Sequence, residues 1–141
     1  FQEILQIRLH LESMIAARAA ARIAPAVIET MAGHHEQMCR ALQDGESARY
    51  LAANRRFHFA LYESAGTEVM LPIIGNLWMQ VGPHLHQVFA SRGHAASTAD
   101  HHHLTLLRAL RRQDTTAAAK AVWDDLSDAG DWILEGDSFA M

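Results

Sequence analysis

The sequence predicts an all-α protein, built as an antiparallel bundle of six to seven helices. Apolar residues recur at helical spacing in one segment after another, and the alternating apolar–polar runs typical of strands are missing. Alanine, the strongest helix former, is abundant, and only three prolines interrupt the chain. With 141 residues, half of them hydrophobic, the chain is long enough to form one domain with its own core.

The first three helices are predicted at 2–23, 26–43 and 46–65. Pro25 separates the first two, because proline ends a helix or occupies its first turn. A turn at Gly45 ends the second. The residues expected to face the core are Ile4, Ile7, Leu11, Met14, Ile15 and Ala19 in the first helix, Val27, Met31, Met38 and Leu42 in the second, and Leu51, Phe57, His58, Leu61 and Tyr62 in the third.

The fourth helix is predicted at 68–81. Gly82 and Pro83 predict a kink or a break after it, and a further short helix is expected at 84–91. The core-facing residues of the fourth helix are expected to be Met70, Ile73, Ile74, Leu77 and Trp78.

Two capped helices complete the predicted bundle. One of residues 97–98 caps a helix that ends near residue 112, and one of residues 114–115 caps the last helix. That helix is expected to end at about residue 135. The prediction is therefore a domain at 1–135 and a flexible C-terminal tail at 136–141.

Composition excludes several classes of protein. Lysine and arginine total 12 against 16 aspartates and glutamates, a net charge of −4, so this chain alone is a poor candidate for binding DNA. Cys39 is the single cysteine, which excludes an intrachain disulfide and indicates a reducing, cytoplasmic location. No apolar run approaches the length of a membrane span.

Asn54 and His58 lie four residues apart on the third predicted helix, so their side chains share one face. This arrangement suits two ligands of one metal ion. The alternative is a histidine that is hydrogen-bonded within the core. His35 and Cys39 have the same spacing and form a second, weaker candidate pair for zinc.

His103 and Asp125 each lie eleven residues from Asp114, the expected turn between the last two helices. In an antiparallel hairpin both would stand about 16 Å from that turn. The alternative is a solvated Asp125 and a polar helix start at His103. Together with Asn54 and His58 they would make a two-histidine, two-oxygen set, which suits a divalent ion: zinc first, with nickel or manganese as alternatives.

Arg8 interrupts the apolar stripe of the first helix. It either forms a salt bridge with Glu12, four residues later, or anchors a carboxylate inside the bundle. The Glu-x-x-His motif of di-iron bundles occurs nowhere, which counts against a ferritin-like oxidase.

Four segments occur in the order and with the gaps of a known family. They are EILQIRLHLE at 3–12, NRRFH at 54–58, LWMQVGP at 77–83 and HLTLLRALRRQD at 103–114. The second is similar to the family signature D-x-x-F-H, and the last to H-x-x-I-L-x-A-I-x-x-x-D. Over essentially all its length the chain resembles the FCD domain, the FadR-type C-terminal domain of GntR-family transcription regulators.

The resemblance implies a metal held by an aspartate and three histidines, beside a pocket for small organic acids. The corresponding positions here are Asn54, His58, His103 and Asp125. Asn54 replaces the usual aspartate, and Asp125 stands where the third histidine is expected. Arg8 matches the first-helix arginine of the family, whereas Gln80 stands where relatives often carry an arginine that contacts the effector.

The resemblance also implies a role and partners. We expect a non-enzymatic ligand-sensing domain that binds a small carboxylate and forms a homodimer. Operator DNA would be bound only through a winged helix-turn-helix that precedes Phe1 and is absent from this chain. A metal-dependent enzyme with a helical-bundle fold and a metal-free dimerisation module are the alternatives.

Overall fold

A computed structural model describes the backbone of residues 1–92 and 98–140 and the side chains of residues 1–89 and 101–135. Over these residues every regular element is a helix, as predicted, and there is no strand. The helices are α1 (Gln2–Ala20), α2 (Pro25–Gln43), α3 (Ser47–Glu63), α4 (Met70–Arg92), α5 (Thr98–Arg111) and α6 (Thr115–Ala140).

Three helix pairs form the main packing contacts: α1 with α6, α2 with α3, and α5 with α6. The core between them holds large side chains that are completely buried, such as Phe57, Tyr62 and Ile74. Helices α1, α3, α4 and α6 also contact one another, and together they surround a cavity. None of the helices, over the residues described, combines the length and apolar character that a membrane crossing requires.

The inward face of α1 differs from the predicted one. Ile7 and Met14 are 41% and 56% exposed, whereas Arg8 and Glu12 are buried. Arg8 and Glu12 neutralise each other through a salt bridge, with 2.7 Å from Nε to Oε2. The prediction that Ile7 and Met14 face the core was therefore wrong. The charges of Arg8 and Glu12 are paired, so these two residues can occupy inward positions, and the apolar residues alone did not identify the inward side of α1.

Pro83 does not divide α4, which continues to Arg92 as one helix. The predicted break and the separate short helix are therefore wrong, whereas the kink that was the alternative to a break stays a prediction. Pro83 costs α4 the hydrogen bond to the carbonyl of Met79. Both residues are on the exposed side, Met79 being 67% exposed, so water can satisfy that carbonyl.

The α5–α6 hairpin has the predicted cap. The side chain of Asp114 accepts a hydrogen bond from the backbone N–H of Ala117 at 3.0 Å, and Gln113 turns the chain with a φ of 54°. The other predicted cap, at residues 97–98, involves Ser97, which lies outside the described residues. At the far end, α6 is helical as far as Ala140, beyond the predicted end at residue 135; the flexibility of 136–141 stays a prediction.

Candidate metal centre and ligand cavity

Three buried side chains from three helices converge at one point, and we call them the His–His–Asp cluster. His58 lies on α3, His103 on α5 and Asp125 on α6. Oδ2 of Asp125 lies 3.1 Å from Nε2 of His58 and 3.2 Å from Nε2 of His103. The equal distances from Asp114 thus bring His103 and Asp125 face to face, as the hairpin geometry predicts.

A chain of hydrogen bonds determines which ring nitrogen of His58 carries the proton. The hydroxyl of Tyr62 donates to Oε1 of Glu12 at 2.7 Å, so its oxygen is left to accept. Nδ1 of His58 lies 3.3 Å from that oxygen and therefore carries the proton that it donates. In the neutral ring Nε2 is consequently the unprotonated nitrogen, and it is the atom that faces Asp125.

The geometry of the His–His–Asp cluster fits a bound cation. A lone pair on Nε2 of His58 and a carboxylate oxygen cannot face each other at 3.1 Å without a proton or a metal ion between them. Nε2 of His103 is buried and makes no hydrogen bond of acceptable geometry. Metal–ligand bonds of about 2.0–2.2 Å, at angles near 90–110°, place two ligand atoms roughly 3.0–3.4 Å apart. The two distances from Oδ2 of Asp125, to Nε2 of His58 and to Nε2 of His103, are in that range.

Asp125 supplies the negative charge of the cluster. Burial by itself raises the pKa of Asp125, but its contacts with His103 and then with His58 outweigh burial and hold that pKa well below its usual range. Asp125 is therefore an anionic carboxylate at neutral pH, the form that binds a metal ion.

A second polar assembly, the Glu12 network, lies beside the cluster and comprises Glu12, Arg8, Tyr62 and Trp78. Glu12 is completely buried and accepts three hydrogen bonds: from Arg8 Nε at 2.7 Å, from the Tyr62 hydroxyl at 2.7 Å and from Trp78 Nε1 at 2.8 Å. The guanidinium of Arg8 also lies over the Trp78 ring, 4.7 Å from its centre. The network positions Arg8 and, through Tyr62, orients His58.

A cavity of about 270 Å³ opens onto both assemblies. Arg8, Asn54, His58 and Asp125 all contribute to its wall, so the structure brings four of the six predicted site residues to one space. Asn54 is half-buried and lies one turn before His58 on α3. Most of the remaining wall is apolar, which makes the cavity suitable for a ligand with one polar end.

Two of the sequence candidates lie elsewhere. Gln80 is exposed on α4, donates to Asn76 at 3.0 Å and is not part of the cavity wall. His35 and Cys39 do contact each other, with 3.7 Å between Nε2 and Sγ. Among the side chains described, however, only the His–His–Asp cluster brings three metal-binding groups together.

Sequence reasoning missed the central part of the Glu12 network. The sequence predicts Glu12 only as a salt-bridge partner of Arg8, and Tyr62 and Trp78 only as core residues. Their shared bonds join positions that are far apart in the chain, on α1, α3 and α4. A usable signal was present in α1, because an acid one turn after Arg8 on a helix that must be buried indicates a buried pair.

Comparison with known proteins identifies the family. Residues 3–128 match the FCD domain. This chain belongs to the FCD domain family. The predicted family and the all-α fold are thereby confirmed.

The relatives of this FCD domain include a bacterial regulator. The HTH-type transcriptional regulator McbR of Escherichia coli (strain K12) is 29% identical over 114 residues, which are 79% of this chain and 51% of McbR. The chain therefore spans about half the length of that curated relative. The solved structure of E. coli McbR/YncC has the same fold, with a TM-score of 0.89 and 23% identity, over 95% of this chain and 67% of that one.

Proposed function

We propose that this FCD domain is the ligand-sensing part of a GntR-type transcription regulator and that it binds a small carboxylate beside a divalent metal ion. One observation carries the proposal: His58 and Asp125, two members of the His–His–Asp cluster, and Arg8 all line the same largely apolar cavity. Buried nitrogen and oxygen atoms normally have bonding partners. Where such atoms converge beside a cavity without a full set of partners, a bound metal ion or ligand is expected to supply them.

The metal ligands in this proposal are Nε2 of His58, Nε2 of His103, Oδ2 of Asp125 and the side-chain oxygen of Asn54. Imidazole with oxygen ligands suits zinc, and also nickel or manganese. When bound, the ion supplies a positive centre that attracts a carboxylate. The protonated Nδ1 of His58 supports this role, because a histidine ligand is oriented by the hydrogen bond that its other nitrogen makes.

Arg8 is the second anchor for the carboxylate. Its Nε is engaged with Glu12, and no other hydrogen bond is formed by its side chain among the described residues. The terminal amino groups therefore remain for a ligand on the cavity wall. Stacking over Trp78 holds the guanidinium plane in place.

Ligand binding can change the protein's conformation through the four helices that meet at the cavity. A ligand held there contacts α1, α3, α4 and α6 at once, so it favours one relative arrangement of these helices over others. In the proposal, a homodimer transmits this shift to winged helix-turn-helix domains that precede this one and bind operator DNA. The relative named as an HTH-type transcriptional regulator supports that partner.

Catalysis is not part of the proposal. The carboxylates near the cluster, over the residues described, are already engaged: Glu12 accepts three bonds, and Asp128 pairs with His102 at 2.6 Å. A hydrolytic enzyme would need a carboxylate or imidazole available as a general base next to the metal-bound water.

Metal content is the direct test of the proposed site. Untagged protein, purified without chelators, is analysed by elemental mass spectrometry, together with a His58→Ala/His103→Ala double variant. The matched control is His34→Ala/His101→Ala, which removes two histidines outside the cluster. We expect about one zinc, nickel or manganese per chain in the wild type and in the control, and none in the first variant.

Thermal shift then tests carboxylate binding in the metal-loaded protein, since a ligand that binds only the folded state raises the melting temperature. Arg8→Ala should reduce the shift. Wild-type protein that takes up no metal after reconstitution, or an Arg8→Ala variant that binds the acid unchanged, would contradict the corresponding part of the proposal.

A further inference from the structure

The cavity has chemically different ends. At one end are Arg8 and two members of the His–His–Asp cluster, His58 and Asp125. At the other end the wall is formed by aromatic rings that touch one another: Tyr50 and Phe89, with ring centres 5.4 Å apart, and Phe89 and Trp132, with centres 4.8 Å apart. A ligand that fills the cavity therefore meets charge at one end and mainly rings and aliphatic carbons over its remaining length.

The helix register gives the distance between the ends. On α6, Trp132 lies about 10 Å beyond Asp125, and on α3, Tyr50 lies about 12 Å before His58, at 1.5 Å per residue. The two helices run past the cavity in opposite senses, so both place their aromatic residue at the same end. The ligand space is consequently elongated, with a polar end and an apolar end about 10 Å apart.

Over the described residues, the wall offers a single lysine or arginine side chain. Arg8 is the one lysine or arginine among the described residues that line the cavity. The other charged residue on the wall away from the cluster is Asp128, which is acidic and half-exposed. A second carboxylate on the ligand would be left without a partner and would face a like charge.

From this arrangement we propose that the ligand is an arylalkanoate, a single carboxylate joined by a short carbon chain to an aromatic ring, and not a sugar acid or a dicarboxylate. The inference rests on the proposed function, because it takes the metal and Arg8 to be the carboxylate anchor. The ring of the ligand lies against Tyr50, Phe89 and Trp132, where aromatic contacts add to the burial of apolar surface.

The size of the cavity fits this class. A volume of about 270 Å³ lies just below the roughly 300–1,000 Å³ that drug-sized ligands occupy. Most hydroxyl groups of a sugar acid would lose water against a mainly apolar wall and find few hydrogen-bond partners there, which costs free energy for each unpaired group. The carbon chain and ring of an arylalkanoate bury only apolar surface against the same wall, which is favourable.

Calorimetric titration of the metal-loaded protein tests the proposal with five probes. Phenylacetate, 3-phenylpropionate and 4-phenylbutyrate extend the same carboxylate stepwise towards the aromatic end. We expect affinity to increase about fourfold for each added methylene. Gluconate and succinate carry the same anchor with polar remainders, and we expect each to bind about a hundredfold more weakly than 4-phenylbutyrate.

Paired tryptophan variants locate the ring. Trp132→Ala removes the aromatic wall and should weaken 4-phenylbutyrate binding about tenfold. The control is Trp123→Ala on the same helix, whose ring is 36% exposed, packs against His10 and lies outside the cavity. This variant should bind 4-phenylbutyrate as the wild type does.

The outcomes separate this inference from the proposed function. Gluconate or succinate binding as tightly as 4-phenylbutyrate would overturn the arylalkanoate assignment while leaving a carboxylate sensor in place. A flat affinity across the arylalkanoate series, or an equal loss in the Trp132→Ala and Trp123→Ala variants, would also overturn it. If none of the five acids binds to metal-loaded protein, both proposals fail.

Discussion

Two adjacent polar assemblies in the core differ in how completely their bonds are satisfied. In the Glu12 network every donor that faces Glu12 forms a hydrogen bond to it, and the charges of Arg8 and Glu12 cancel. In the His–His–Asp cluster three potential ligand atoms converge, and Nε2 of His103 has no hydrogen bond of acceptable geometry. A completed network supports the fold, whereas an incomplete one at the end of a cavity marks the place for a ligand.

The largest expected effect comes from opening the Glu12 network. Glu12→Ala leaves the buried Arg8 guanidinium unpaired and the Tyr62 and Trp78 donors without an acceptor, so we expect a loss of about 3–5 kcal/mol in the free energy of unfolding. Urea denaturation measures it. Glu3→Ala, which removes an exposed acid of the same helix, should change stability by less than about 0.5 kcal/mol. Equal losses in Glu12→Ala and Glu3→Ala would contradict the statement that the Glu12 network stabilises the fold.

The His–His–Asp cluster should instead respond to metal. Zinc at about a hundred times its dissociation constant is expected to stabilise the wild type by about 2.7 kcal/mol. Asp125→Asn removes the anionic ligand and should abolish most of this gain. In chelator, where no metal is bound, the same variant loses only the contacts of the carboxylate with the two histidines and should cost about 1.5–3 kcal/mol, less than Glu12→Ala. A loss in chelator as large as that of Glu12→Ala would show that Asp125 is chiefly structural.

Tyr62 connects the two assemblies, and removing its hydroxyl tests the connection. Tyr62→Phe frees Nδ1 of His58 from its fixed hydrogen bond, so metal affinity should fall about 10- to 100-fold. Competition with a zinc chelator measures this affinity. Tyr50→Phe removes the other tyrosine hydroxyl, about three turns before Tyr62 on α3, and should leave metal affinity unchanged. Unchanged metal affinity in Tyr62→Phe would contradict the proposal that the Tyr62 hydroxyl orients His58 for metal binding.

The smallest expected effect appears at alkaline pH. Burial, and then the nearby Glu12 carboxylate, raise the pKa of Tyr62 well above its usual value near 10. Above pH 10 the unfolded chain therefore loses this proton while the folded chain keeps it. Unfolding free energy should fall by up to about 1.4 kcal/mol per pH unit from this group. Denaturation of Tyr62→Phe between pH 9 and 11 should lack this component, and an identical slope in wild type would contradict the assignment.

Helix periodicity predicted most of the fold but not every inward face: Ile73 on α4 was expected to face the core and is 46% exposed. The inner residues of α3, such as Phe57 and Leu61, are buried as expected. On α1 the apolar stripe pointed to Ile7 and Met14, because a buried salt bridge is polar in sequence and neutral in the fold. On α4 the break expected at Pro83 is absent, since the affected carbonyl faces water.

The candidate site could be predicted as far as local geometry extends. The equal spacing of His103 and Asp125 from Asp114 was sufficient to pair them, because a short turn joins the two helices. No comparable arithmetic relates Glu12 to Trp78, whose meeting depends on how α1 and α4 cross. The aromatic end of the cavity was missed for the same reason, since its rings come from α3, α4 and α6.

Anomalous X-ray scattering at the zinc absorption edge, from crystals of zinc-loaded protein, tests the metal site most directly. We expect one strong peak per chain, about 2 Å from Nε2 of His58, Nε2 of His103 and Oδ2 of Asp125. Crystals that show no peak there, or a peak at His35 and Cys39 instead, would contradict a metal-anchored ligand cavity in this domain.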